Sequence, residues 1–278
     1  MASTKKDTHI TNLAALEKAA NGEIVTLPGW TEEQPFVARL KDKTYTVNGG
    51  TYQMKIHGFA SACEFEVAEQ TESRVTFVLR DNEVTRAQFP FAFLFKVRYA
   101  LKESTVEVTY TVDNPEDEML HFGLGGHPGF NVPLKEGTSF EDYYLRFSQP
   151  CEPDRVGFSS EILVSGVDKR YELEGGQIIR LRHDLFDHDA IVLKNMAKSV
   201  TIASDKTKRY VTVSYPQMPY VGFWHAERKD APYVCIEPWV SLPARDGVVE
   251  DFACKGDLIH LPGHGSYENT WYITIGEE

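Results

Sequence analysis

Three short stretches of this chain set proton-transferring side chains among glycine, proline and aromatic residues. Residues 121–131 read HFGLGGHPGFN, and His127 sits on that glycine-rich turn beside Phe130. Glycine allows backbone angles and close approaches that other residues resist. A histidine, with an ordinary pKa of about 6.5, gives or takes a proton near neutrality. Residues 235–240 read CIEPWV, so Glu237 follows the apolar run Tyr233 to Ile236 and precedes Pro238 and Trp239. A carboxyl group in such company is partly desolvated, which raises its pKa and makes it a better base. Residues 55–59, KIHGF, add His57 next to Gly58 and Phe59. Each stretch has a bland alternative. A lone histidine more often just hydrogen-bonds its own turn, and Glu237 is equally well read as the partner of an arginine such as Arg245.

Taken together and in order, these stretches resemble the galactose mutarotase (aldose 1-epimerase) family. Within it they are most similar to the branch named after the lactose-operon X protein. That branch reads HGFAR, then GxHPxFxxPL, then DDAI, then CIEPW. This chain has HGFA at 57–60, GGHPGFNVPL at 125–134, LFDHDAIVLKN at 185–195 and YVCIEPW at 233–239. The resemblance runs over about 40–278. It implies an all-β fold, a large antiparallel β-sandwich of the supersandwich kind, with a hexose in an open cleft and a reaction that uses neither metal nor cofactor. It implies His127 as general acid and Glu237 as general base. His57 would hold the ring-oxygen side of the sugar. Asp189, with Asp187 as the alternative, would bind sugar hydroxyls, and Arg39 would match the substrate arginine. Trp239 and Phe130 offer ring faces for the C–H edge of a sugar.

The residue types suit that chemistry. Interconverting α and β anomers of a free aldohexose removes a proton from the C1 hydroxyl and delivers one to the ring oxygen. The ring opens, the C1–C2 bond rotates, and the ring closes from the other side. The expectation is a carboxylate and an imidazolium on opposite sides of the ring. Two departures stand out. Ser61-Ala62 follow HGFA where the family has Arg-Asp, and PFVARL at 35–40 matches only the end of the family's opening LFPxxGRL segment. Two other functions therefore stay open: a non-catalytic sugar-binding or regulatory protein with the same cleft, and a hexose-phosphate epimerase. The latter needs a cluster of arginine or lysine for the phosphate, which the motifs lack.

Positioning these residues falls to strands. Residues 105–112 (TVEVTYTV) alternate with period two, and Asp113-Asn114-Pro115-Glu116 reads as the turn that ends them. The aromatic row of 89–101 predicts a second such strand. Shorter strands are expected at 74–80, 191–193, 200–204, 210–215, 233–236 and 271–275. No alternation of strands and helices indicates a parallel sheet. Residues 12–20 (NLAALEKAA) are the best helix candidate. Segment 1–38, short helix plus extended chain, reads as foreign to the family, and 12–38 resemble the start of small phage tail-assembly proteins. Residues 39–278 read as one mutarotase-like β-sandwich domain.

The bulk numbers narrow the partners. The 278 residues carry 41 acidic and 29 basic side chains, a formal charge of -12. That field repels nucleic acid and anionic membranes and tolerates a neutral small molecule. Cys63, Cys151, Cys235 and Cys254 form no Cys-x-x-Cys pair, so no zinc site is expected. His183, Asp184, Asp187, His188 and Asp189 lack a recognised ligand spacing and read as a polar turn, and His260 and His264 as loop residues. The opening MASTKKDTHITNL has no apolar signal region. The expectation is a cytoplasmic protein with reduced thiols, monomer or homodimer, and no membrane association.

Overall fold

The computed structural model describes residues 39–277. The helix expected over 12–20 and the rest of segment 1–38 lie outside them. Two large sheets with only antiparallel neighbours dominate the described residues. One has nine strands in the order Ile178–Arg180, Tyr143–Phe147, Ser199–Ser204, Thr207–Ser214, Ser266–Glu277, Thr105–Asp113, Leu94–Lys102, Arg74–Arg80 and Glu66–Gln70. The other has six, in the order Lys169–Arg170, Asp154–Arg155, Ile191–Lys194, Tyr220–Trp224, Tyr233–Trp239 and Gly129–Asn131.

One shared core holds the sheets face to face. Val108, Tyr110, Leu145 and Phe147 of the larger sheet join Leu193, Val221, Phe223, Val234 and Ile236 of the smaller in a single apolar cluster. The Phe147 and Phe223 rings meet edge to face at 6.1 Å across the interface. Period two thus does its expected work: along 105–112 the valines and Tyr110 turn inward and the threonines outward. The turn at 113–116 is present too. The Asn114 side-chain amide donates to the Glu118 carbonyl at 2.7 Å, and its oxygen accepts from the Glu116 amide at 3.2 Å.

The aromatic row of 89–101 is not one strand. The strand is Leu94–Lys102, and a helix over Glu83–Gln88 precedes it. Asn82 caps that helix, its Oδ1 accepting from the amides of Val84 and Thr85 at 2.9 and 3.0 Å. Pro90 then has no amide to give a ladder, so Phe89, Phe91 and Phe93 reach the core from irregular backbone. Two strands left no clear periodic trace in the sequence, Tyr143–Phe147 and Tyr220–Trp224. In the first the exposed Arg146 is the only charge in a short buried run, and the second is apolar throughout, so polar–apolar alternation is lost.

Candidate active site

The site lies on the face of the six-stranded sheet turned away from the shared core. Along Tyr233–Trp239, Val234 and Ile236 enter the core, so Cys235, Glu237 and Trp239 take the other face. The neighbouring chain pairs Gly125 with Trp239 and Gly129 with Cys235. Carrying that register two residues from either end sets His127 directly opposite Glu237. Backbone bonds from Gly126 N to the Pro238 carbonyl (2.9 Å) and from Ile236 N to the Pro128 carbonyl (3.2 Å) hold the pairing. On the other side Gly222 faces Glu237. A Cβ there would meet the Trp239 ring at 3.1 Å and the Glu237 Cβ at 3.5 Å, so this glycine makes room for both side chains.

His127 Nε2 and Glu237 Oε1 are 3.2 Å apart, with side chains only 4% and 1% exposed. They are in contact without hydrogen-bond alignment, and both ring nitrogens and both carboxyl oxygens are buried without a hydrogen-bond partner. Such atoms are costly unless something polar fills the site. Burial lowers the His127 pKa to about 4, with nearby His57 pushing the same way. Burial raises Glu237 well above the usual carboxylate range; the negative Asp189 adds to this and the Trp239 indole opposes it. Burial therefore favours the neutral imidazole and the protonated carboxyl. The pair also sits side by side on one sheet face, not across a cleft as the sequence reading expected.

The other candidates fall into three groups. His57, Asp189 and Arg39 gather around the pair. His57 holds a positive φ of 75° and is close enough to act on His127. Asp189 also has positive φ, 69°; its Oδ1 accepts from the Ala190 amide at 2.7 Å and its Oδ2 lies 3.8 Å from Arg39 Nη2. Trp239 shares the Glu237 face and packs on Val156 and Val192. Two candidates lie apart. Asp187 acts on His225, which His183 meets at 3.1 Å. Phe130, opposite Val234, packs against the shared core instead of facing the site.

Arg245, the suggested partner of Glu237, binds Glu250 through two side-chain bonds of 3.0 and 2.9 Å. The bland reading of Glu237 therefore loses its arginine. His260 is not in a loop; it lies on the strand Ile259–Leu261, its Nδ1 2.6 Å from that of His121. Sequence reasoning missed Trp224, whose ring stands edge-on to His127 at 5.9 Å. Its strand, Tyr220–Trp224, shows no polar–apolar alternation that could have pointed to it. It also missed a grouping of ligand atoms. His127, Cys235 and Glu237 place theirs within 4.8 Å of one another, whereas the polar turn 183–189 forms no such group among the described residues.

The family model for aldose 1-epimerase matches residues 35–244. The chromosomal and plasmid LacX proteins of Lactococcus lactis subsp. lactis are each 33% identical over 190 residues, 67% of this chain and 63% of theirs. The chain thus spans less than two thirds of those relatives. A galactose mutarotase related enzyme from Lactobacillus acidophilus superposes with a TM-score of 0.82 at 34% identity, over 87% of this chain and 81% of its own. A galactose mutarotase-like protein from Lactobacillus casei gives 0.79 at 30% identity, over 87% and 83%. A galactose mutarotase-like protein from Clostridium acetobutylicum, at 19% identity and 0.68, shares the fold.

Proposed function

The chain belongs to the aldose 1-epimerase family, and on that premise we propose that it interconverts the α and β anomers of a free hexose, with His127 and Glu237 exchanging the protons. Family membership supports isomerase-type chemistry on a sugar; the rest is our reading of the site. The observation that carries it is the buried pair with four polar atoms left without hydrogen bonds. Hydroxyl groups and a ring oxygen satisfy such atoms well.

The side-by-side arrangement suits the reaction. The C1 hydroxyl oxygen and the ring oxygen are bonded to the same carbon, so adjacent groups on one face reach both. Glu237 as carboxylate takes the C1 hydroxyl proton, and His127 as imidazolium gives one to the ring oxygen. The pair is then neutral imidazole plus protonated carboxyl, the form that burial favours. Burial thus pulls the proton transfer in the ring-opening direction. Entering the cycle requires one proton to pass from Glu237 to His127, across their 3.2 Å contact, as the sugar hydroxyls arrive. Closure reverses each step. Asp189 and His57 hold hydroxyl groups around the ring, Arg39 steadies Asp189, and Trp239 lies against the C–H edge.

Polarimetry on freshly dissolved α-glucose and α-galactose tests this reading. Acceleration of the optical change towards equilibrium is the expected result. Tight binding of either sugar by calorimetry with no acceleration would make the protein a sugar binder instead.

A further inference from the structure

We propose that His127, Cys235 and Glu237 form a binding site for one divalent cation of the Zn2+ type, and that this cation closes the sugar site when it binds. The donor set is an imidazole, a thiol and a carboxylate, the three groups that zinc prefers. Their ligand atoms lie within 4.8 Å of one another, and His127 Nε2 is 3.2 Å from Glu237 Oε1. Zinc bond lengths set tetrahedral ligands about 3.3–3.5 Å apart, a spacing close to that of His127 and Glu237, and the sulfur draws in from within 4.8 Å. Cys235 and Glu237 project from one face of the strand Tyr233–Trp239, and His127 from the segment between Gly125 and Gly129 that pairs beside it. Gly129, across from Cys235, puts no side chain against the buried sulfur.

Two further points favour a cation. The imidazole nitrogens and carboxyl oxygens are buried and lack hydrogen-bond partners. A thiolate and a carboxylate also cancel the double charge of the ion, so the filled site is neutral and its burial is not opposed by a net charge. On binding, the Cys235 thiol and the Glu237 carboxyl each release a proton to the buffer, and the sulfur and a carboxylate oxygen donate electron pairs to the metal; nothing is oxidised or reduced. Three protein ligands leave a fourth position for water. The sugar reaction assigns no part to a thiol, so Cys235 separates this site from the epimerase site that shares its other two members. The blocking effect rests on the epimerase reading; the binding itself does not.

The test uses the full chain, stripped with a chelator and titrated with Co2+ alone. One equivalent should produce the charge-transfer absorption of a thiolate bound to cobalt, and Zn2+ should remove it. Cys235→Ala should abolish the band. His127→Asn and Glu237→Gln should each weaken binding by more than the roughly 10–100-fold that loss of an outer-shell partner causes. Absence of the band overturns the proposal. So does a band unchanged in Cys235→Ala, which would place the cobalt at Cys63, Cys151 or Cys254. If Cys235→Ala fails to fold, Cys235→Ser and the His127→Asn titration decide the same question. Stoichiometric Zn2+ should also abolish the wild-type acceleration of the change in optical rotation. A protein inactive on every hexose yet showing the band would lose the epimerase reading and keep the metal site.

Discussion

The two large sheets share one core but present opposite kinds of outer face. On the nine-stranded sheet the outward hydroxyls pair across strands: Thr105 with Thr274, Thr109 with Thr270 and Thr201 with Thr212 at 2.9 Å each, and Ser199 with Ser214 at 2.8 Å. Every one of these groups finds its partner within the protein. On the six-stranded sheet His127, Glu237 and Trp239 are buried with polar atoms that have none. The same strand periodicity builds both faces. They differ in whether the polar groups are satisfied internally or left for a ligand, and that difference marks where chemistry belongs.

The comparison breaks most visibly at Glu237. Glu237→Gln keeps the shape and removes the proton exchange, and should slow mutarotation by roughly 10²–10⁴-fold, read by polarimetry. Unchanged speed would remove Glu237 as the base. Next comes the dependence of stability on pH. The unfolded chain binds a proton on His127 near pH 6.5, the folded chain only near pH 4. Between those values the unfolded state holds more protons, so stability should fall by about 3 kcal/mol as the pH drops through that window. Glu237 has the opposite sign: its folded carboxyl keeps a proton above the usual 4.5, so its contribution is lost as the pH rises beyond that. Urea midpoints across pH should show the acid limb flattened in His127→Asn and the alkaline limb flattened in Glu237→Gln.

Gly222→Ala sharpens the contrast at smaller scale. Its Cβ would press on the Trp239 ring and the Glu237 Cβ. We expect a loss of about 1–3 kcal/mol in stability, with slower catalysis, measured by thermal melts and polarimetry. The smallest effect belongs to the other face. The double variant Thr201→Val/Thr212→Val removes both members of a satisfied pair with little change of shape. It should be nearly neutral, within about 1 kcal/mol, and leave the rate unchanged. A large loss there would mean the outer face of the nine-stranded sheet carries more than packing.

Much of this was legible in the sequence, for reasons that differ by residue. The strands 74–80 and 105–112 showed themselves because one face is apolar and one polar. Tyr220–Trp224, which neighbours the Glu237 strand, stayed hidden because both of its faces are covered. Phe130 drew attention by lying three residues from His127. On extended chain an odd spacing puts the two side chains on opposite faces, and Phe130 went to the core. Asp187 and Asp189 share one polar turn, and only the fold separated the one that acts on Glu237 from the one that acts on His225.

By itself the sequence determined the β class, the kinds of group available for proton transfer, and, through shared motifs, which histidine and glutamate to examine. Period-two patterning and residue chemistry are local properties, written in consecutive positions. Tertiary structure alone decided that these groups, 110 positions apart in sequence, face each other across paired strands. It decided that burial drives their pKa values in opposite directions, that Arg245 goes to Glu250, and that Cys235 joins the pair. Distance, desolvation and unmet hydrogen bonds arise between segments that meet only when the sheets form, so no local pattern can record them.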